Sequence, residues 1–357
     1  MRVLITGGAG FVGSFLARAF REGLDAEVVA FDNLRRRGSE LNLSIFRRSG
    51  IEFVHGDVRV ASDVEDLPGD FDLLVDAAAE PSVSAGLSGS PRYILDTNLR
   101  GTLNCLELAR RRGSSFLLLS TSRVYSISAL KSIQLVETET RYALAEDQSV
   151  PGLSASGVAE SFPVNEPRSF YGASKLASEM ATQEYVAAYG LKAIIDRCGV
   201  IAGPGQFGKP DQGVFTLWIL NHYFRKPLRY TGFGGSGKQV RDLLHPADLF
   251  DLIKSQLSMI SDQTGHVFNV GGGMSVSASL RELTDLCRKE LGDVPISGLP
   301  DTSWVDVPLY VSDCAKARST FGWEPKKSVS EIVMDIIDWI KHNEIALKSL
   351  FGEPEVE

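Results

Sequence analysis

Short apolar runs recur near 2–6, 27–31, 51–54, 72–78, 115–120 and 192–197. Between several of them apolar residues return every three or four positions, notably over 11–22, 92–112 and 171–189. Such runs suit strands buried on both faces, and the intervening period suits amphipathic helices. The alternation predicts an α/β fold of Rossmann type, a doubly wound parallel sheet with helices on both faces. Ligands of such sheets sit at the carboxyl ends of the strands. Further on, loops alternate with helical runs at 245–260, 279–291 and 329–343. A smaller α/β substrate-binding domain is expected there. The boundaries drawn are 1–200, returning near 240–270, for the nucleotide-binding domain, and 201–239 with 271–350 for its partner. No internal repeat is apparent.

Composition narrows the function classes. The 357 residues are 43% hydrophobic and 23% charged with a net charge of −8, so a broad basic surface for nucleic acid is not expected. No run reaches the roughly 18 apolar residues of a membrane span, and the N-terminus enters a strand without a signal-peptide pattern. Cys105, Cys198, Cys287 and Cys314 are scattered, as reduced cysteines of a cytoplasmic protein would be. The five histidines show no ligand spacing, so no metal is expected. The tail 352–357 reads as disordered.

The strongest local signal lies at 2–13. Val3-Leu4-Ile5 reads as a buried strand, glycines follow at 7, 8, 10 and 13, and a helical segment begins at Phe11-Val12, with Gly23 as its stop. Strand, glycine turn and helix form the context of a dinucleotide fingerprint. The glycines let backbone approach a pyrophosphate, whose charge the unpaired N–H groups of the helix start attract. Asp32 ends the second apolar run, where an acid would bind adenosine ribose. The arginines at 35–37 raise the question of NADP, but a carboxylate beside a 2′-phosphate is repulsive, which favours NAD. Asp57 ends the third run, placed either to accept from an adenine amino group or to cap a turn. Ala77-Ala78-Ala79 keep the fourth strand end narrow, for a flat ligand or for tight packing.

The chemistry is carried by two later stretches. A buried strand ends in Ser120-Thr121-Ser122, and Tyr171-Gly172-Ala173-Ser174-Lys175 opens a helix. Tyr and Lys at i and i+4 share a helix face. A lysine ammonium there favours phenolate over phenol, which lets Tyr171 act as a base near neutral pH. Thr121 would orient the same substrate hydroxyl, and Lys175 would also hold ribose.

Together with Asn98, Gly101-Thr102, Val124-Tyr125, Gly203-Pro204-Gly205, Arg241-Asp242, Phe268-Asn269-Val270-Gly271-Gly272 and Phe321-Gly322-Trp323-Glu324-Pro325, these motifs run through nearly the whole chain. In that order they resemble the extended short-chain dehydrogenase/reductase family of nucleotide-sugar epimerases and dehydratases. The resemblance implies bound NAD, a catalytic trio of Thr121, Tyr171 and Lys175, and a nucleotide-sugar substrate. It implies cofactor contacts from Gly7, Gly10, Phe11, Val12, Gly13, Asp32, Asn33, Leu34, Asp57, Val58, Ala77, Ala78, Ala79, Asn98, Ser120, Cys198 and Val200. It places Glu80, Ser122, Arg123, Gln212, Gly213, Lys238 and Arg241 on the substrate, with Lys238 and Arg241 as a cationic pair for the diphosphate. The alternative for Arg241 is a structural clamp with Asp242 or Asp248.

Dehydratases of the family carry Asp-Glu after the catalytic threonine, and this chain has Ser122-Arg123, which argues against elimination. The strings at 137–142, 210–213, 237–242 and 32–34 resemble the branch that epimerises CDP-linked deoxyhexoses at C2. An arginine expected on the substrate phosphate is replaced by Ser303. A UDP-hexose 4-epimerase and a non-catalytic nucleotide-sugar scaffold remain the rival readings. Residues 126–170 form either a lid or a passive insertion. The family resemblance implies a homodimer or homotetramer with helices near 92–112 and 171–189 at the interface.

Overall fold

The computed structural model describes residues 1–208 and 212–351. Pro210-Asp211 of the motif at 210–213, and the tail expected to be disordered, lie outside the described residues. Seven parallel strands form the central sheet: β1 Arg2–Thr6, β2 Glu27–Asp32, β3 Glu52–His55, β4 Leu73–Asp76, β5 Ser115–Thr121, β6 Ala193–Cys198 and β7 Val267–Val270, in the order β7-β6-β5-β4-β1-β2-β3. Six match the apolar runs. The seventh is short and continues an amphipathic stretch, so it does not stand out by hydrophobicity alone.

The chain winds outward from β1 in both directions, so the crevice opens beside β1 and β4. Register aligns the strand ends: Thr6 lies opposite Phe31 and Asp76, and Thr121 opposite Cys198. The pleat sends alternate side chains to opposite cores. Val3 and Ile5 pack with Leu16, Phe20 and Ile253 on one face, and Leu4 packs with Leu106, Phe116 and Leu118 on the other. Each such fully buried aliphatic side chain contributes about 1.5–3 kcal/mol.

Helix α1, Phe11–Leu24, buries Leu16, Ala17 and Phe20 and follows the glycine turn directly. Gly23 is not its stop. The helix runs past it and ends where Asp25 takes a left-handed conformation, with φ of 47°, and Arg21 pairs with the Asp25 carboxylate at 2.7 Å. The helical run at 92–112 divides into Arg92–Leu95, a wider π-type turn over Asp96–Arg100, and α2, Gly101–Arg112. α3, Phe170–Tyr189, is capped by Ser169, whose hydroxyl accepts from Gly172 N.

The remaining segments form a second layer against the strand ends. Val240–Leu244 pairs with Val200–Ile201, Ser277–Ser279 and Leu309–Tyr310. Phe215, Trp218, Leu243, Leu283, Ile332 and Ile336 make its core. Its helices Leu280–Leu291 and Val329–His342 both start in capping boxes, Ser279 with Glu282 and Ser328 with Glu331.

Residues 126–170 carry two small hairpins and an apolar cluster shared with Val305, Val307 and Tyr310. Val158 exchanges backbone hydrogen bonds with Val311 and Asp313, both at 2.8 Å. None of residues 126–170 lines the cavity described below, although Val305 of the shared cluster does. The segment buttresses the second sheet in this conformation and does not cover the site.

Candidate functional site

One cavity of 1380 Å³ runs from the glycine turn, past the ends of β4, β5 and β6, into the second layer. Its cofactor end is made mostly of backbone. Gly7 has φ of 62°, and a Cβ there would meet Ala77 O at 2.8 Å; a Cβ on Gly13 would lie 2.1 Å from Gly7 O. Only glycine fits this crossing. α1 has no side-chain cap, and Gly10, Phe11, Val12 and Gly13 at its start line the cavity. Free N–H groups and the helix dipole there suit a pyrophosphate.

Asp32 closes the turn by accepting from Ala9 N at 3.1 Å and Leu34 N at 2.7 Å, and burial raises its carboxyl pKa above the ordinary value. Asn33, Val58, Ala77, Ala78, Ala79, Cys198 and Val200 line the same cavity. Leu34 does not: it packs into the core beneath. Asp57 is set back as well. Asn33 and Arg59 bond both of its oxygens at 2.6–3.0 Å, and the Arg59 guanidinium holds its carboxyl well below the usual range. Asp57 therefore fixes the loop and leaves no free oxygen for adenine. Arg35 stacks on Tyr93 at 4.2 Å, while Arg36 and Arg37 donate to the carbonyls of Phe207 and Ser349. All three line the cavity near Asp32, and each is already engaged with a different partner within the protein.

Asn98 is likewise a bracket, not a lining residue. Its amide bonds both the N–H and the carbonyl of Glu80, at 2.8 and 3.1 Å, and donates to Ser174 Oγ at 2.9 Å. The π-type turn supplies the offset that lets it do so. It thereby ties the end of β4 to α3.

At the centre Ser120, Thr121, Ser122, Arg123 and Tyr171 line the cavity together. Tyr171 and Thr121 face the cavity together; burial pushes the Tyr171 pKa up to about 12, and the Thr121 hydroxyl and Arg123 pull it back. Lys175, one turn along α3, is 1% exposed and lies behind the cavity wall. Burial lowers its ammonium pKa. Lys175 is not among the groups that shift Tyr171, and burial outweighs what Thr121 and Arg123 contribute. Ionisation needs a further positive charge over the cavity.

Two residues not singled out in the sequence hold this centre. Glu179, at i+8 from Tyr171, accepts from Ser120 Oγ at 2.5 Å and from Arg197 Nη2 at 2.7 Å. Both charges are buried, and their pairing locks β5, β6 and α3 together. A carboxylate one turn past Lys175, on a buried helix face of small and polar residues, was the available signal.

The substrate end is different. Glu80, Gln212, Gly213, Arg241, Ser303 and Asp306 line it. Arg241 Nη2 already bonds Asp306 Oδ1 at 2.8 Å and Val307 O at 2.7 Å, and burial lowers its pKa to about 10. Its clamp is Asp306, not Asp242 or Asp248. Lys238 lies outside the cavity, drawn to Glu137 Oε1 and Thr138 O, both at 2.8 Å. The expected cationic pair is split.

A family model described as NAD dependent epimerase/dehydratase matches residues 3–271. The chain belongs to that family. Over 95% of its length this epimerase/dehydratase is 33% identical to the CDP-paratose 2-epimerase of Salmonella typhi, covering 99% of it. It is 30% identical to the dTDP-glucose 4,6-dehydratase of Streptomyces antibioticus, over 96% of this chain and 93% of that one. Among solved structures it is similar to the dTDP-glucose 4,6-dehydratase DesIV of Streptomyces venezuelae with NAD and TYD bound, with a TM-score of 0.77, 27% identity and 97% and 98% of the chains covered. NAD, the cofactor of the family, fits the residues present: uncapped N–H groups at the glycine turn, an acid at the ribose position and narrow alanines beside β4. Among the described residues no helix is long and apolar enough to cross a membrane.

Proposed function

We propose that this enzyme epimerises a nucleotide-linked deoxyhexose at C2, with a CDP-sugar as substrate. The observation that carries the reading is the composition of the cavity centre. Thr121 and Tyr171 face the cavity together there, while the elimination acids of the dehydratases are replaced by Ser122 and Arg123. The relationship to a CDP-paratose 2-epimerase supports the same choice.

The hydrogen on C2 of the sugar has no neighbouring carbonyl to make it acidic, so direct deprotonation is excluded. Tyr171 takes the proton of the C2 hydroxyl as the C2–H bond breaks, which leaves a 2-ketone. Thr121 donates to the same oxygen and holds it. Bound NAD⁺ supplies the hydride acceptor, its reduced form the donor, and its charged ring the positive charge that Tyr171 lacks in the protein alone. After the sugar presents its other face, Tyr171 returns the proton to the oxygen. Lys175 would hold the ribose, Asp32 the adenosine ribose and the start of α1 the pyrophosphate. Arg241 would take the substrate diphosphate once Asp306 releases it. A homodimer through α2 and α3 fits the exposed Leu103, Met180 and Tyr189.

The test is product NMR after separate incubation with CDP-paratose, CDP-glucose and UDP-glucose. Conversion of CDP-paratose at C2 supports the reading. Turnover of UDP-glucose at C4 alone would replace it with the 4-epimerase reading, and no conversion of any of them would favour a binding scaffold.

A further inference from the structure

Asp76 is the last residue of β4 and is 1% exposed. Its two oxygens receive only hydroxyls, from Thr6 Oγ1 at 2.8 Å and Thr102 Oγ1 at 2.6 Å. Among the described residues no ammonium or guanidinium lies within salt-bridge distance of it. A buried carboxylate in that position needs a positive field. Lys175 presents the complementary problem: an ammonium, equally buried, with no carboxylate in salt-bridge contact among the described residues.

The two lie in one cluster. Thr102 and Cys105 stand on α2, Thr6 on β1, Asp76 on β4, and Lys175 and Glu179 on α3. The Cys105 thiol is buried against Thr6 and feels both Asp76 and Lys175, in opposite directions. Cys198 on β6 is the remaining titratable neighbour of Lys175. Glu179 is already committed, since Arg197 and Ser120 occupy its oxygens. Asp76 is the one carboxylate of the cluster without a cation of its own.

We propose that Asp76 is the buried countercharge of Lys175, a positioning residue that keeps that side chain an ammonium behind Tyr171. Thr6 and Thr102 fix the place of the Asp76 carboxylate, and Thr102 and Ser178 of α3 share the Asn98 carbonyl at 2.7 and 3.0 Å, which brings this end of β4 against α3. Burial alone draws the Lys175 ammonium down, and among its neighbours Asp76 opposes this most. The sign follows: neutralising Asp76 removes the opposing attraction, so Lys175 loses its proton at lower pH. The proposal deepens the catalytic reading, in which Lys175 serves cofactor and tyrosine, but it concerns a charge that exists without substrate.

The experiment is a titration of the full-length protein with ¹³C-labelled lysine, followed by NMR at Cε, with the Lys175 signal assigned by its loss in Lys175→Arg. In Asp76→Asn the Lys175 midpoint is expected to fall by about one pH unit or more. Thr102→Val, which weakens the carboxylate and keeps its charge group, is expected to give a smaller fall and serves if Asp76→Asn does not fold. The alkaline limb of kcat should move in step, while KM for the nucleotide sugar stays unchanged. An unmoved Lys175 midpoint in the variants overturns the proposal, even if their melting temperatures fall. Failure of the sugar assay would count against the epimerase reading alone, because the titration needs no substrate.

Discussion

The two ends of the cavity are built on different principles. The cofactor end consists of backbone: a glycine turn, uncapped helix N–H groups and strand ends whose register sets Thr6 opposite Asp76 and Thr121 opposite Cys198. It stands ready before anything binds. The substrate end consists of side chains, and its cation, Arg241, is already paired within the protein with Asp306, while Lys238 is drawn outside the cavity to Glu137. Binding at the first end adds contacts; binding at the second exchanges them. An enzyme that keeps its cofactor through each cycle and releases its sugar gains from that asymmetry.

The largest break in this contrast comes from the residue between the two ends. Tyr171→Phe removes the proton carrier and nothing of the cofactor cradle. Turnover should fall by about 10²–10⁴-fold while the purified protein keeps its nicotinamide, measured by kcat and by the nucleotide released on denaturation. At the cofactor end, Gly13→Ala forces a Cβ against Gly7 O. The expected cost is about 1–3 kcal/mol in unfolding free energy, with loss of bound nucleotide.

At the substrate end the effects should be smaller and of both signs. Arg241→Met should raise KM for the nucleotide sugar about tenfold, equivalent to ~1.4 kcal/mol. Asp306→Asn should lower KM, because it frees the guanidinium for the diphosphate; a raised KM would show that Asp306 aligns Arg241 and does not withhold it. Lys238→Met should leave KM within about 0.5 kcal/mol of the parent, since its ammonium faces Glu137 and not the cavity.

The same contrast explains what the sequence disclosed. The sheet, its helices and the glycine turn follow from periodicity and from local backbone demands that a short string states in full. Tyr171 and Thr121 could be read because each ends or opens a regular element. Asn98 was recognisable as important but not in its bracing role, and for Asp57 a ligand contact and a turn cap were both open: whether a polar group faces ligand or braces a loop depends on partners such as Glu80 and Arg59, which lie 18 and 2 residues away. Arg241 and Asp306 are 65 residues apart, and Lys238 and Glu137 are 101 apart. No spacing rule joins such pairs, so the substrate end became legible only in three dimensions. The segment 126–170 illustrates the same limit, since its length left a lid and a passive insertion equally open and its contacts make it a support.

The most direct test is conversion of CDP-paratose in deuterated water, followed by NMR at the C2 position of the product. Oxidation and reduction at the nicotinamide predict an epimerised sugar that keeps its original hydrogen at C2, with no deuterium from solvent. Deuterium at C2, which would mean deprotonation by a base, contradicts it, as does recovery of unchanged sugar from a cofactor-loaded enzyme.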